Sequence, residues 1–140
     1  MIDFNDYAIG YKQFIEFDEH ENCIYWKDTK FNEEWHEYDS RGNCIHFKNS
    51  KDYEEWNEYD SDGNIIHHKD SNDCEEWHEY NSMGKCVHYK IKYRNSKTYE
   101  RWNEYDKNGN LVYCKDSNGF DELREYDSDG NCIYTDEHGL

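Results

Sequence analysis

At 140 residues the chain has room for one domain, and 33 acidic against 16 basic side chains leave it at a formal charge of −17. Such a charge excludes non-specific nucleic-acid binding and attachment to anionic membranes, both of which need a basic surface. Five Trp, fourteen Tyr and six Phe, with no Pro, make it a folded protein whose apolar area comes from rings.

In chain order, residues 1–13 read as a lead-in. They lack the apolar run of a signal peptide, and no segment is long and apolar enough to cross a bilayer as a helix. Six cysteines without a secretory leader point to free thiols in a reducing compartment, the cytoplasm.

From Phe14 onward the sequence repeats. Anchors stand at Phe14, Trp35, Trp56, Trp77, Trp102 and Leu123, 21 residues apart except for 25 between Trp77 and Trp102. Two residues after each anchor comes Glu16, Glu37, Glu58, Glu79, Glu104 or Glu125, followed by an aromatic and then Asp or Asn. Gly42, Gly63, Gly84, Gly109 and Gly130 close the Asp-x-x-Gly step, and Glu21 takes that place in the first copy. A short apolar run follows, centred on Ile24, Ile45, Ile66, Val87, Val112 and Ile133. Residues 1–140 thus form one domain of six repeats.

Asp-x-x-Gly has a physical reading. Asp opens a type I turn by hydrogen bonding its own backbone, and Gly accepts the left-handed conformation after it, closing a three-residue hairpin. Flanking segments such as Trp35–Tyr38 and Cys44–Lys48 are rich in strand formers. A second polar turn, Asn49–Lys51 or Asp70–Asn72, returns the chain to the next copy. The expected fold is all-β, an antiparallel β-hairpin meander of about twelve short strands in a single-layer or twisted sheet. A solenoid with one coil per repeat would stack the glutamates about 4.8 Å apart. That costs roughly 0.9 kcal/mol per neighbouring pair even in water. A meander doubles the spacing to about 9.6 Å, beyond the ~8 Å screening length.

Pairing Asp39 with Asn43 predicts Tyr38 opposite Cys44, Glu37 opposite Ile45, His36 opposite His46 and Trp35 opposite Phe47. One face then carries Trp, Glu, Ile and an aromatic, the other Tyr, Cys and His. Lys48, Lys69 and Lys90 fall opposite Glu34, Glu55 and Glu76, as ion pairs within each hairpin.

The string Glu58-Tyr59-Asp60-Ser61-Asp62-Gly63-Asn64 resembles the tyrosine–aspartate (YD) repeats of RHS proteins and teneurins, and the likeness runs from Phe14 to Leu140. In that family the repeats form long hairpin strips that wrap into shells around a toxin domain. The resemblance implies the strip; six copies are too few to close a shell. Here Trp stands three residues before the Tyr, where the family usually has a second Tyr two before, and no Pro-containing core-terminating motif is present.

No phosphate loop, G-x-S-x-G elbow or H-E-x-x-H occurs, and carboxylates repeated six times do not mark a unique catalytic site. Asp60–Asn64 and Asp127–Asn131 look like calcium loops, but Gly comes too early and the distant Glu is missing, so they read as hairpin turns. Cys23, Cys44, Cys86 and Cys132 share one repeat position and His46, His67 and His88 another. Equivalent residues are too far apart for a disulfide or a four-ligand zinc site, so no metal or cofactor is expected. The tryptophans read as core, interleaved with glutamates and not with the basic residues that stacked bases require. Ile91–Arg94 inserts into a turn of otherwise constant length. With Lys85, Lys90, Lys97 and Arg101 it makes the one basic neighbourhood, and Tyr93 and Arg94 are of types frequent at binding hot spots.

These features point to a non-enzymatic, acidic protein-binding module. The favoured version is an inhibitor that occupies the groove of a basic nucleic-acid-processing enzyme, a CRISPR effector or another defence nuclease, without touching nucleic acid or membrane. Glu37, Glu58, Glu79 and Glu104 would form its contact stripe, with Tyr93 and Arg94 giving specificity. Two alternatives remain open: a structural strip able to oligomerise through its strand edges, and a metal or carbohydrate binder.

Overall fold

The computed structural model describes residues 14–139, and the lead-in 1–13 lies outside them. The first six strands are β1 (Phe14–Phe17), β2 (Cys23–Lys27), β3 (Glu33–Tyr38), β4 (Cys44–Asn49), β5 (Glu54–Tyr59) and β6 (Ile65–Asp70). The last six are β7 (Glu75–Tyr80), β8 (Cys86–Lys92), β9 (Thr98–Tyr105), β10 (Leu111–Asp116), β11 (Asp121–Tyr126) and β12 (Cys132–His138). They make one twelve-stranded antiparallel sheet in sequential order, with no helix among the described residues. The meander expected from the period is the fold observed.

Both sets of turns share one design. At the glycine edge, Asp39 N–H donates to the Asn43 carbonyl (2.9 Å) and Gly42 N–H to the Asp39 carbonyl (3.1 Å). At the opposite edge Asp70 and Cys74 repeat the first bond (3.0 Å), and Asp73 N–H returns to the Asp70 carbonyl (3.3 Å). The third loop residue is left-handed in both sets: Gly42 and Gly63 at one edge (φ +85° and +86°), Asp52 and Asp73 at the other (φ +60° and +62°). Gly suits this conformation because it has no Cβ to clash, and Asp tolerates it.

Register departs from the expectation at one point in every copy. Tyr38 pairs with Cys44 as predicted, but Glu37 pairs with His46, His36 with Phe47 and Trp35 with Lys48. Ile45 is skipped: it is a β-bulge. Equivalent shifts occur in all six glycine-edge hairpins, at the residue that centres each short apolar run. One extra residue moves everything beyond it by one place, so the partners change faces. Trp35, Glu37, His46 and Lys48 therefore share one face; His36, Tyr38, Cys44 and Phe47 share the other. His36 and His46, expected side by side, lie on opposite faces.

The lysine pairs are corrected for the same reason. Lys48 and Lys90 meet Glu54 (3.9 Å) and Glu100 (3.0 Å) across the junction between hairpins, not Glu34 and Glu76 within one. The turn after each of the hairpins β3–β4 and β5–β6 extends the ladder within it by one place. Ser50 and Ser71 N–H donate to the Glu33 and Glu54 carbonyls (2.9 and 2.8 Å), and their Oγ atoms accept from the N–H groups of the same two glutamates (both 3.0 Å).

Burial is shallow. Among the described residues only Ile91, Cys114, Asn57 and Glu122 are buried, and of these Cys114 alone is fully so. Cohesion comes from rings packed across strands, as in His36–Phe47 (centroids 5.0 Å) continuing to Tyr53 (6.1 Å), and His78–Tyr89 (5.0 Å) continuing to Tyr99 (6.1 Å). Such pairs add about 0.5–1.5 kcal/mol each beyond the area they cover.

Candidate protein-binding face

On the tryptophan face the bulge aligns side chains into rows that cross five strands. One runs Glu37, His46, Trp56, Lys69, Glu75; the next runs Glu58, His67, Trp77, Lys90, Glu100; a third runs Glu79, His88, Trp102, Lys115, Asp121. Each row begins in one hairpin and ends two hairpins later.

Within a row the chemistry is consistent. His46 stacks on Trp56 with centroids 5.3 Å apart and planes 9° from parallel; His67–Trp77 (5.4 Å) and His88–Trp102 (5.2 Å) repeat the stack. His46 Nδ1 lies 3.3 Å from Glu37 Oε1 and its Nε2 2.9 Å from Glu54 Oε1. His67 sits likewise between Glu58 (3.4 Å) and Glu75 (3.1 Å), and His88 between Glu79 (3.3 Å) and Glu100 (3.5 Å). The lysine covers the tryptophan from the other side, Lys90 over Trp77 at 5.9 Å and Lys115 over Trp102 at 5.3 Å. Each imidazole has a carboxylate within 3.5 Å of both nitrogens and an indole across its ring, and His88 Nε2 is buried without a hydrogen bond. These histidines order carboxylates and rings.

The structure thus brings Glu37, Glu58, Glu79 and Glu104 to one face, two strands apart. The first three remain solvent-exposed, at 69, 70 and 72% of the side chain, although each touches a histidine. Glu104 is exposed too and pairs with Tyr113, which stands at the histidine position of its row. Trp35 and Trp56 are exposed beside them. Histidine's part escaped the sequence reading because the unbulged register put His46 on the wrong face.

Tyr93 and Arg94 sit apart from the stripe, at the hairpin edge opposite the glycines. The four-residue insertion leaves the turn unchanged: Tyr93 N–H still donates to the Lys97 carbonyl (2.9 Å) and Ser96 N–H to the Tyr93 carbonyl (2.8 Å). It lengthens the strands instead, adding the pairs Ile91–Tyr99 and Lys92–Thr98. Two added pairs carry this tip roughly 7 Å beyond the others. The expected basic neighbourhood is dispersed. Lys90 and Lys92 pair with Glu100 (3.0 Å) and Glu75 (3.8 Å), and Arg94 lies 3.9 Å from Asp73. Arg101 turns to Asn103 and the Cys114 sulfur, and Lys85 lies beside Gly109 at the other edge.

The turn acids are engaged locally. Asp60 Oδ1 accepts from the N–H groups of Asp62 (2.8 Å) and Asn64 (2.9 Å), and Oδ2 from the Asn64 side-chain amide (2.9 Å). That amide first, then the backbone donors, hold the Asp60 carboxyl below its ordinary range. Its oxygens clamp the hairpin.

No protein-family model matches the sequence, and no curated protein matches it. Solved structures do. One chain of the Photorhabdus luminescens Tc holotoxin pore, which carries a TccC3 mutation, superposes with a TM-score of 0.71 at 19% identity over 88% of this chain. Chains from crystal structures titled TcdB2-TccC3-TEV and TcdB2-TccC3-Cdc42 give 0.72 at 19% over 88%, and 0.71 at 18% over 90%. This chain spans 7% of the length of each. The chain has the fold of a tyrosine–aspartate, RHS-like β-hairpin repeat, with twelve strands in one open sheet among the described residues.

Proposed function

We propose that the chain is a non-enzymatic binding module that holds a protein partner carrying basic side chains against its tryptophan face. One observation supports this reading above the rest: the exposed carboxylates of Glu37, Glu58 and Glu79 repeat beside the exposed rings of Trp35 and Trp56 on a sheet. Carboxylates steer and align a basic surface, and rings supply desolvated contact that charge alone does not. The histidines keep the carboxylates in place before binding, which reduces the ordering cost of association.

The narrower form of the proposal is a nucleic-acid-processing enzyme, such as a CRISPR effector or another defence nuclease, whose basic groove the strip fills in the cytoplasm. Its support is the charge of −17, which suits a groove built for phosphate. The extended tip with Tyr93 and Arg94 would touch beside the groove. Affinity capture from the native host names the partner. Replacing Glu37, Glu58, Glu79 and Glu104 together by Gln, which leaves size and hydrogen bonding nearly intact, is then expected to weaken binding about tenfold or more at low salt. Binding unchanged by the quadruple substitution would refute the acidic stripe; a partner without nucleic-acid chemistry would refute the narrower form alone.

A further inference from the structure

One position of the repeat stands open on the face opposite the acidic stripe. By the period, Asn32 is followed in later copies by Tyr53, Cys74, Tyr99 and Phe120. Tyr53 shows what a tyrosine does there. Its ring packs on Phe47 with centroids 6.1 Å apart, and its hydroxyl donates to Glu55 Oε2 at 2.8 Å. Tyr99 takes the same seat on Tyr89 (6.1 Å) and donates to Asp116 Oδ2 at 3.3 Å. Desolvation first, and then the bond to Glu55, push the Tyr53 phenol up to about 12, so it remains a donor at neutral pH.

The copy before Tyr53 has the seat without the tyrosine. Trp26 pairs with Glu34 and Glu34 with Asn49, as Phe47 pairs with Glu55 and Glu55 with Asp70. Asn32 carries no ring, and Asp28 Oδ2 draws its amide back into the turn at 2.8 Å. What is left is a half-open cleft of about 190 Å³ whose walls include Trp26, Asn32, Glu34 and Asn49, with Ser50 and Lys51 at the rim. Asn49 Oδ1 already accepts from the Lys51 and Tyr53 N–H groups (2.8 and 3.3 Å). The Glu34 carboxylate lies 3.8 Å from His36 Nε2, beyond hydrogen-bond reach, and keeps its lone pairs for a donor.

We propose that this cleft binds a phenol ring supplied from outside, the side chain of a tyrosine on a partner polypeptide, with the ring against Trp26 and the hydroxyl donating to Glu34. The chain's own Tyr53 and Tyr99 define the occupant. A ring set on the indole gains offset or edge-on packing, and a charged acceptor strengthens the hydroxyl bond. The volume is below the roughly 300–1,000 Å³ of sites for drug-sized molecules, so one side chain fills it. Ser50 and Lys51 are exposed, which leaves room for a loop to present the ring. A phosphate on the tyrosine would face Glu34, so the phosphorylated residue is refused. The cleft does not touch the acidic stripe and does not depend on the function proposed above.

Heteronuclear NMR of the 140-residue chain, followed at the Trp26 indole N–H, tests the site. The amide-capped peptide acetyl-glycyl-tyrosyl-glycine is expected to bind at roughly millimolar concentration. Its phenylalanine and phosphotyrosine counterparts should each bind about fivefold or more weaker. Glu34→Ala should bring the tyrosine and phenylalanine peptides level. Asn32→Tyr, which gives this copy the residue that the next carries as Tyr53, should raise the urea midpoint and abolish the peptide-induced shifts. Equal binding of the tyrosine and phenylalanine peptides, or shifts that survive Asn32→Tyr, would overturn the proposal. So would a response to p-cresol with none to the tyrosine peptide, since the cleft would then take free phenols and not a polypeptide.

Discussion

Tyr59 donates its hydroxyl to the carbonyl of Cys44, 2.9 Å away and one hairpin back. That carbonyl belongs to the residue just before the bulged Ile45, where the ladder is interrupted. Tyr38, Tyr80, Tyr105 and Tyr126 serve Cys23, Ile65, Cys86 and Leu111 in the same way at 3.0–3.2 Å. The repeat's tyrosine is thus a tie between hairpins. Tyr59→Phe is expected to cost about 1–2 kcal/mol of unfolding free energy, the penalty of a partly buried carbonyl left without its donor. Asn57 offers that carbonyl a second donor at 3.4 Å, so Tyr80→Phe should cost more. Urea midpoints for both variants within error of the parent would remove the tie from the account.

Acid should unfold the strip through its turns. The carboxyls of Asp39, Asp60 and Asp127 are held below their ordinary range, first by the side-chain amides of Asn43, Asn64 and Asn131 and next by backbone N–H groups. For Asp106 the backbone bond from Asn110 leads. A carboxyl depressed in the folded state takes up its proton more readily when unfolded. Its contribution is complete above the unfolded value of about 3.9 and is lost as pH falls through the lower folded value. Urea midpoints followed by tryptophan fluorescence should therefore drop below about pH 4. Asp60→Asn should flatten that drop, since Asn81 makes the same backbone bonds (2.9 and 3.1 Å) without a charge. An identical acid slope in the variant would place the titrating groups elsewhere.

Left-handed residues give a contrast within one fold. Phe31 holds φ +65° and is 78% exposed, whereas Gly63 holds φ +86°. Phe31→Gly should raise stability by about 0.5–1 kcal/mol despite losing the distant contact with Lys27. Gly63→Ala should lower it by about 1 kcal/mol. Thermal unfolding that moves both variants in the same direction would contradict the strain argument.

Hydrogen exchange should be slowest in β5–β8. Each strand bonds only to its sequence neighbours, so stability sums locally along the strip. The first copy places Glu21 at φ +66° where later copies use Gly, and nearly every residue of β12 is exposed. Amides of β1 and β12 protected as well as those of β6 would show that the sheet unfolds as one unit.

The sequence by itself determined the strand number, the all-β class and the placement of the turns, because Asp-x-x-Gly fixes backbone geometry within five residues. It also placed the four stripe glutamates on the tryptophan side, since they stand two residues from their anchors and side chains alternate. Tertiary structure decided everything that depends on what stands opposite. Counting back from the turn cannot reveal that Ile45 is skipped, for a β-branched residue suits a bulge and a regular strand position equally in composition. That one skipped residue sends His46 to the tryptophans, carries Lys48 to the next hairpin's Glu54 and leaves the Cys44 carbonyl for Tyr59. Likewise the four extra residues near Tyr93 lengthen β8 and β9 because Ile91 gains burial between Glu76 and Tyr99, a gain visible only once neighbouring strands are in place.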